Sequence, residues 1–320
     1  MVIGGIDEAG YGPVLGPLVV GGCAVRTPDA DALPCVWKRL SRIVSRTRCR
    51  QGRRLHVNDS KLVYTSGQGL KELERAVLCL LEGAHGPAAT LSAVLDHADP
   101  TARDALLTYA WYAADLDNCF PIEADATGLR IAANALRAET ARAETSCVYY
   151  RAEVLPEGHF NEIVGHTRNK ASASFSLVAR HIERMLGAYA GEKLTIFCDR
   201  QGGRAHYGQL LRLMFEDWDL EITSESEAYS AYVLRQGSRA ATLIFCEKAE
   251  THALPVAAAS MLAKYLREAL MTRFNAFWRR ALPDLTPTAG YYNDGMRFLG
   301  DIAAVRGQLG VSDARLIRQR

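Results

Sequence analysis

Two adjacent carboxylates, Asp7 and Glu8, stand directly before the stretch Ala9-Gly10-Tyr11-Gly12-Pro13 near the start of a 320-residue chain. Side by side and uncompensated, two carboxylates repel, and each favours its protonated form until a cation relieves the conflict. A divalent ion with oxygen ligands does so. The glycines let backbone N–H groups approach an anion closely. Together these residue types suit metal-assisted chemistry on a phosphodiester, with a solvated turn as the plainer alternative. A nucleotide-binding loop is disfavoured, because Pro13 and an apolar run over 14–25 follow where such a loop would open a helix.

Residues 1–6 are short, apolar and β-tolerant, and predict a buried strand that delivers Asp7 and Glu8 at its end. A second strand over 17–25 pairs with it in a hairpin-like start to a mixed sheet. A helix is predicted over 69–81, with Leu70, Leu73, Val77, Leu80 and Leu81 on one face. Residues from about 84 to 146 read as an insertion, with a strand at 90–95 and two alanine-rich helices. Beyond it come a strand at 147–155, a long helix over 160–189, a strand at 194–198 ending at Asp199, and a helix over 204–215. Strands at 220–225 and 240–247 and a helix over 257–277 complete the reading. Strand, carboxylate, helix, strand is the α/β rhythm that places reactive groups at the carboxyl ends of strands.

The composition, 48% hydrophobic and 23% charged, is that of a soluble globular protein. A formal charge of +2 means that nucleic-acid binding would have to come from local clusters. One exists: Lys38, Arg39, Arg42, Arg46, Arg48, Arg50, Arg53 and Arg54 fall within one stretch. It reads equally as a solvated surface loop or as a phosphate-contacting patch. The eight cysteines, Cys23, Cys35, Cys49, Cys79, Cys119, Cys147, Cys198 and Cys246, show no zinc-ribbon or redox spacing and read as reduced. No apolar run approaches a membrane span and no basic leader opens the chain, so a cytoplasmic location and no membrane partner are expected.

Five ordered segments resemble ribonuclease HII, the type 2 ribonuclease H family. They are Asp7-Glu8-Ala9-Gly10 with Gly12-Pro13 and Gly16-Pro17; Asp59-Ser60-Lys61; Asp199; Lys248-Ala249-Glu250 followed by Ala257-Ala258-Ala259-Ser260-Met261-Leu262-Ala263-Lys264-Tyr265; and Gly290-Tyr291-Tyr292-Asn293-Asp294. The resemblance implies an α/β, ribonuclease H-like mixed central sheet flanked by helices, carrying an inserted α/β segment. It implies an endoribonuclease that cuts RNA–DNA hybrids or ribonucleotides in duplex DNA through a two-metal site of Mg²⁺ or Mn²⁺. Asp7, Glu8, Asp199 and Glu250 would be the catalytic and metal-binding acids. Gly10, Tyr11, Gly12, Lys61, Ser260, Lys264 and Tyr291 would bind substrate, with Arg267 also facing phosphates. Ser260 has a second reading as a helix cap.

Glu250 stands where the family usually has aspartate, and Tyr11 where it usually has a basic residue. The chain is also longer than typical members. These departures motivate the alternative of a nucleic-acid-binding or scaffolding protein with weakened or lost nuclease activity. The expected organisation is a core split over 1–83 and 147–320, with 84–146 inserted and available to a protein partner. Glu225, Glu227, His206 and His252 read as surface or packing residues rather than as site groups.

Overall fold

A computed structural model of the chain describes residues 1–29, 35–49, 52, 54–64, 69–113 and 120–319. Two of the basic residues of the arginine-rich stretch, Arg50 and Arg53, and the cysteine Cys119 lie outside the described residues. Strands β1 (Val2–Ala9) and β2 (Leu18–Arg26) form the antiparallel opening pair. Helix α1 (Val36–Arg39), the short parallel pair β3 (Val44–Ser45) and β4 (Leu55–His56), and α2 (Ser60–Val63) follow. Helices α3 (Lys71–His85), α4 (Leu91–Ala98), α5 (Pro100–Leu107), α6 (Ala110–Ala113) and α7 (Ala126–Arg142) precede β5 (Ser146–Leu155). Then come α8 (Glu157–Thr167), α9 (Lys170–Tyr189), β6 (Leu194–Asp199), α10 (Gly208–Met214), β7 (Asp219–Glu225), β8 (Tyr229–Gln236) and β9 (Arg239–Cys246). The long α11 (Leu254–Ala281), α12 (Tyr292–Asp301), α13 (Ala303–Gln308) and α14 (Asp313–Leu316) end the order.

Seven strands form one mixed sheet in the order β5-β2-β1-β6-β9-β8-β7. Its centre, β1, β6 and β9, is parallel, and the outer pairings are antiparallel. Because side chains alternate across a strand, β1 sends Ile3 and Ala9 into the core on one face and Val2 and Ile6 into the core on the other. The first core contains α11 and α3; the second contains α9.

Glycine decides how closely the helices approach. A Cβ on Gly5 would lie 2.1 Å from the Val256 backbone nitrogen, and one on Gly21 would lie 2.1 Å from the Ala259 carbonyl oxygen. The start of α11 therefore rests on bare strand backbone. On the opposite face the space above Gly22 is filled by the His181 ring and that above Gly4 by Met185 of α9.

Several sequence expectations are corrected. Residues 91–98 are helical, not a strand: Leu91, Val94, Leu95 and Ala98 share a buried face, and the Thr90 hydroxyl caps the helix by accepting from Ala93 N at 3.0 Å. Among its described residues, 84–146 contains helices but no strand before β5, so the inserted α/β segment is helical instead. It shares the α11-side core through Leu91, Leu95, Leu106, Trp111 and Tyr112. Buried Glu74 of α3 fastens it by accepting from the backbone N–H groups of Ile122, Glu123 and Ala124, each at 2.7 Å.

The single helix expected over 160–189 is two, because Arg168 adopts φ 51° and Asn169 caps α9 by accepting from Ala171 N. Strand β8 is absent from the sequence reading; Gly237, at φ 60°, forms its turn to β9. Helix α10 is shorter than expected and begins at Gly208. Among the described residues, no helix is long and apolar enough to cross a membrane.

Since the Gly5 contact is with helix backbone, Gly5→Ala must push α11 off the sheet and is expected to cost about 3 kcal/mol. Gly12, whose added Cβ would meet nothing within 4 Å, should tolerate alanine to within about 0.5 kcal/mol. Urea unfolding of the two variants checks the contrast. Equal midpoints would refute the packing reading.

Candidate active site

Register places the acids. Ile6 of β1 pairs with Cys198 of β6, so Asp7 and Asp199 lie abreast at the ends of neighbouring parallel strands. Asp199 in turn pairs with Cys246, the last residue of β9. Four residues further on, Glu250 sits in the 3₁₀ turn Ala249–Thr251, entered through Lys248 at φ 53°. Three adjacent strand ends thus deliver Asp7, Glu8, Asp199 and Glu250 to one corner of the sheet.

Asp7 points toward α11. Its carboxylate accepts from the Glu8 N–H at 2.7 Å, and the nearby Ser260 side chain favours its charged form. Burial, then the charges of Glu8 and Asp199, push its pKa well above the usual carboxylate range. Glu8, on the alternate side of the strand, is raised to about 7 by burial and by Asp199, against a side-chain hydrogen bond from Gln201 and the charge of Lys61. Its Oε2 is buried with no hydrogen-bond partner. Asp199 accepts from Ala249 N at 3.2 Å, and burial raises it. Glu250 is raised by burial first and also by Asp199 and Asp59.

Asp59 and Gln201 are the polar neighbours that sequence reasoning did not single out. Asp59 caps α2 by accepting from Lys61 N at 3.0 Å, and its charge adds to the repulsion on both Asp199 and Glu250. The signal was there: Asp59 opens a recognised motif and is an N-cap residue type. Lys61 is the cation that offsets Glu8, Asp199 and Glu250.

A cleft of about 210 Å³ opens beside Glu8 and is lined by Gly10, Tyr11, Gly12, Lys61, Lys264 and Tyr291. Tyr291, 54% exposed, stands at the N-terminus of α12. The Tyr11 ring carries the Lys170 ammonium 4.5 Å from its centroid. Lys264 is tied to Glu268 at 2.7 Å and lies 4.8 Å from the Tyr64 ring centroid.

Two expected roles change. Ser260 cannot cap α11, which starts at Leu254 with Ala253 as its N-cap residue. It lies buried nearly two turns inside the helix, near Asp7, and donates to the Ser60 hydroxyl at 3.0 Å. Arg267 is also buried and donates to the Ala289 carbonyl at 2.8 Å and the Leu15 carbonyl at 3.4 Å. It braces the glycine-rich loop and also lines the cleft beside Lys264.

A second brace went unnoticed in the sequence. Buried Arg318 donates to the carbonyls of Gly10 and Pro13. Burial and the Arg267 charge lower its pKa to about 10. Glu157, buried and raised to about 7, accepts from Gly16 N at 3.1 Å and Tyr112 Oη at 2.8 Å. The groups suggested as surface residues stay outside the cluster: Glu225 accepts from Tyr232 and Gly208, with His206 at 3.3 Å.

Among the described residues no set of three Asp, Glu, His or Cys side chains is arranged to hold an ion as it stands. The donor chemistry nevertheless suits a divalent cation: oxygen ligands only, burial with added carboxylate repulsion that raises each of the four, and an orphaned Glu8 oxygen.

The raised Glu8 makes stability depend on pH in a definite sense. Its folded-state value of about 7 lies above its ordinary 4.5, so between these values the folded chain keeps a proton that the unfolded chain has released. This contribution is fully present below pH 4.5 and is lost as pH rises through 7, on the order of 2–3 kcal/mol. In chelator, the urea midpoint is expected to fall from acidic to alkaline pH, and Glu8→Gln is expected to flatten that fall. An unchanged profile in the variant would exclude Glu8 as the source.

No protein-family model and no curated protein matches the chain. Among solved structures it is similar to ribonuclease HII in its PCNA complex from Archaeoglobus fulgidus, at 15% identity and TM-score 0.47, over 100% of this chain and 95% of that one. It is similar to ribonuclease H2 from Pyrococcus horikoshii OT3 at 16% identity and TM-score 0.46, over 99% and 92%. The Mn²⁺ complex of Bst ribonuclease HIII gives 14% identity and TM-score 0.45, over 99% of this chain and 66% of that one.

Proposed function

We propose that this chain is a metal-dependent endonuclease that hydrolyses the RNA strand of RNA–DNA hybrids, or ribonucleotides within duplex DNA. The observation that carries the reading is the convergence of Asp7, Glu8, Asp199 and Glu250 at adjacent strand ends beside a cleft lined by Lys61 and Tyr291. A fold does not set chemistry, so the site bears this weight.

Asp7, Glu8, Asp199 and Glu250 would hold Mg²⁺ or Mn²⁺ through their carboxylate oxygens. The chemistry such ions supply is activation of the attacking water and stabilisation of the leaving 3′ oxygen. The rest belongs to the chain. Ser260 supports the charged form of Asp7, and Ala249 N holds Asp199, as outer-shell groups orient ligands elsewhere. Glu8, raised to about 7 with no ion bound, would give up its proton on holding one. Lys61 faces the substrate phosphate, which positions a duplex without reading its sequence. The 2′-hydroxyl is what distinguishes ribose from deoxyribose, and in this reading the Gly10 to Gly12 backbone and the Tyr291 phenol surround it. Lys170, stacked on Tyr11, brings a cation to the loop position that carries no basic residue of its own.

Purified protein with Mg²⁺ or Mn²⁺ is expected to cut a labelled hybrid, and Asp7→Asn to abolish cutting while leaving the urea midpoint in chelator no lower than that of the parent. Ser260→Ala should weaken metal dependence about 10-fold or more, read as the Mn²⁺ concentration that gives half-maximal rate. Failure to cut hybrid, RNA duplex or ribonucleotide-bearing DNA with either ion would reject the proposal. A second reading, binding without turnover, is favoured by the length of Glu250. Appearance of activity only on Glu250→Asp would select it.

A further inference from the structure

Residues 32–58 contain eight Lys or Arg and no Asp or Glu. With +2 on the whole chain and +8 on this segment, all other residues together net −6. Such segregation creates a local positive field on a nearly neutral molecule.

The segment is a packed lobe and not a loose loop. Val36, Trp37, Leu40, Ile43, Val44, Leu55 and Val57 are buried in the α11-side core, and β3 pairs with β4. Arg75 of α3 braces it by donating to the Gly52 carbonyl at 2.6 Å. The cationic residues face outward from that base: Lys38, Arg42, Arg46 and Arg48 are exposed.

The lobe is fastened to the acid cluster on its Glu250 side. Arg46 donates to the carbonyl of Thr251, the neighbour of Glu250, at 2.8 Å, and its guanidinium lies 4.6 Å from the Trp37 ring centroid. The Arg46 carbonyl accepts from Asn58, the neighbour of Asp59, at 2.9 Å, and contacts His56 Nε2 at 3.2 Å. Opposing carboxylates are few and peripheral: Glu72 is 3.8 Å from Arg48, Glu139 pairs with Arg142 and lies near Arg42, and Glu144 borders a recess lined by Lys38, Arg39 and Arg142. Positive charge thus continues the active corner outward, where a polyanion leaving the cleft would run.

We infer that this arginine lobe is an extended phosphate-binding surface that takes the backbone of a duplex beyond the cleft, on the Glu250 side. The inference rests on the proposed function for the ligand's class, and its test separates the two. Contacts of this kind release counterions, so each should add close to one unit to the slope of log affinity against log salt.

The experiment measures binding of a long and a minimal labelled hybrid to the full chain in chelator, across salt concentrations. Replacing Lys38, Arg42 and Arg48 together with glutamine, all three outside the cleft, is expected to weaken the long duplex about 10-fold and to reduce the slope by about 2 to 3. The minimal duplex should bind as before. Arg42→Lys with Arg48→Lys should retain the slope, since phosphate contact needs charge more than geometry here, and an unchanged urea midpoint excludes misfolding. Parental affinity and slope in the triple variant would overturn the inference whether or not the protein cuts hybrid. Binding of the long duplex through these residues without cleavage under Mg²⁺ or Mn²⁺ would leave the lobe standing and remove the proposed activity. If polyglutamate binds through the three residues while hybrid binding does not use them, the lobe belongs to an acidic protein partner and the inference fails.

Discussion

The close seating of α11 on the central strands is the contact on which the rest depends. At Gly5 and Gly21 the helix backbone occupies the space where a side chain would stand, 2.1 Å from each absent Cβ. Helices usually rest on side chains at 8–10 Å between axes. Here the small run Ala257-Ala258-Ala259 lets the helix drop lower, and the next residue, Ser260, comes near enough to Asp7 to favour its charged form. The same helix carries Lys264 to the cleft and Arg267 beneath the glycine-rich loop. A slightly raised helix would release all three at once.

That seating lets the protein keep an unfavourable cluster. Asp7, Glu8, Asp199 and Glu250 all have pKa values raised by burial, with mutual repulsion added. Parallel pairing of β1, β6 and β9 is what forces them together, because neighbouring parallel strands end on the same edge. Lys61, Ser260, Gln201 and the Ala249 N–H offset part of the cost. Such stored unfavourable electrostatics is common where groups must bind a cation or move protons.

The loop between β1 and β2 is held from below as firmly as the acids are. Arg267 and Arg318 bond to its carbonyls, Glu157 accepts from Gly16 N, and the Gly290 carbonyl accepts from Val14 N at 2.8 Å. Buried cations without any partner would be expensive, and the loop carbonyls accept from the Nη2 of each guanidinium, while Arg267 Nε and Arg318 Nε and Nη1 are buried without a partner. Gly12 meanwhile keeps open space above it. The backbone that borders the cleft is therefore rigid on one side and accessible on the other.

The sequence alone determined what local pattern and residue chemistry encode. Asp7 and Glu8 at a strand end, Asp199 closing another strand, the buried face of α3, the hairpin-like opening and the arginine run were all legible within short windows. Periodicity failed where windows were short or doubly buried: 90–95 read as a strand, and Arg168-Asn169 hid a break between α8 and α9. Only the tertiary structure decided that Ser260 supports Asp7, that Arg318 and Glu157 brace the loop, and that Arg46 joins the basic lobe to Glu250's turn. The separations explain why: Gly16 meets Glu157 across 141 residues, Ser60 meets Ser260 across 200, and Gly10 meets Arg318 across 308. No local propensity carries such contacts, because they arise from which faces the sheet and α11 bring together when their apolar surfaces are buried.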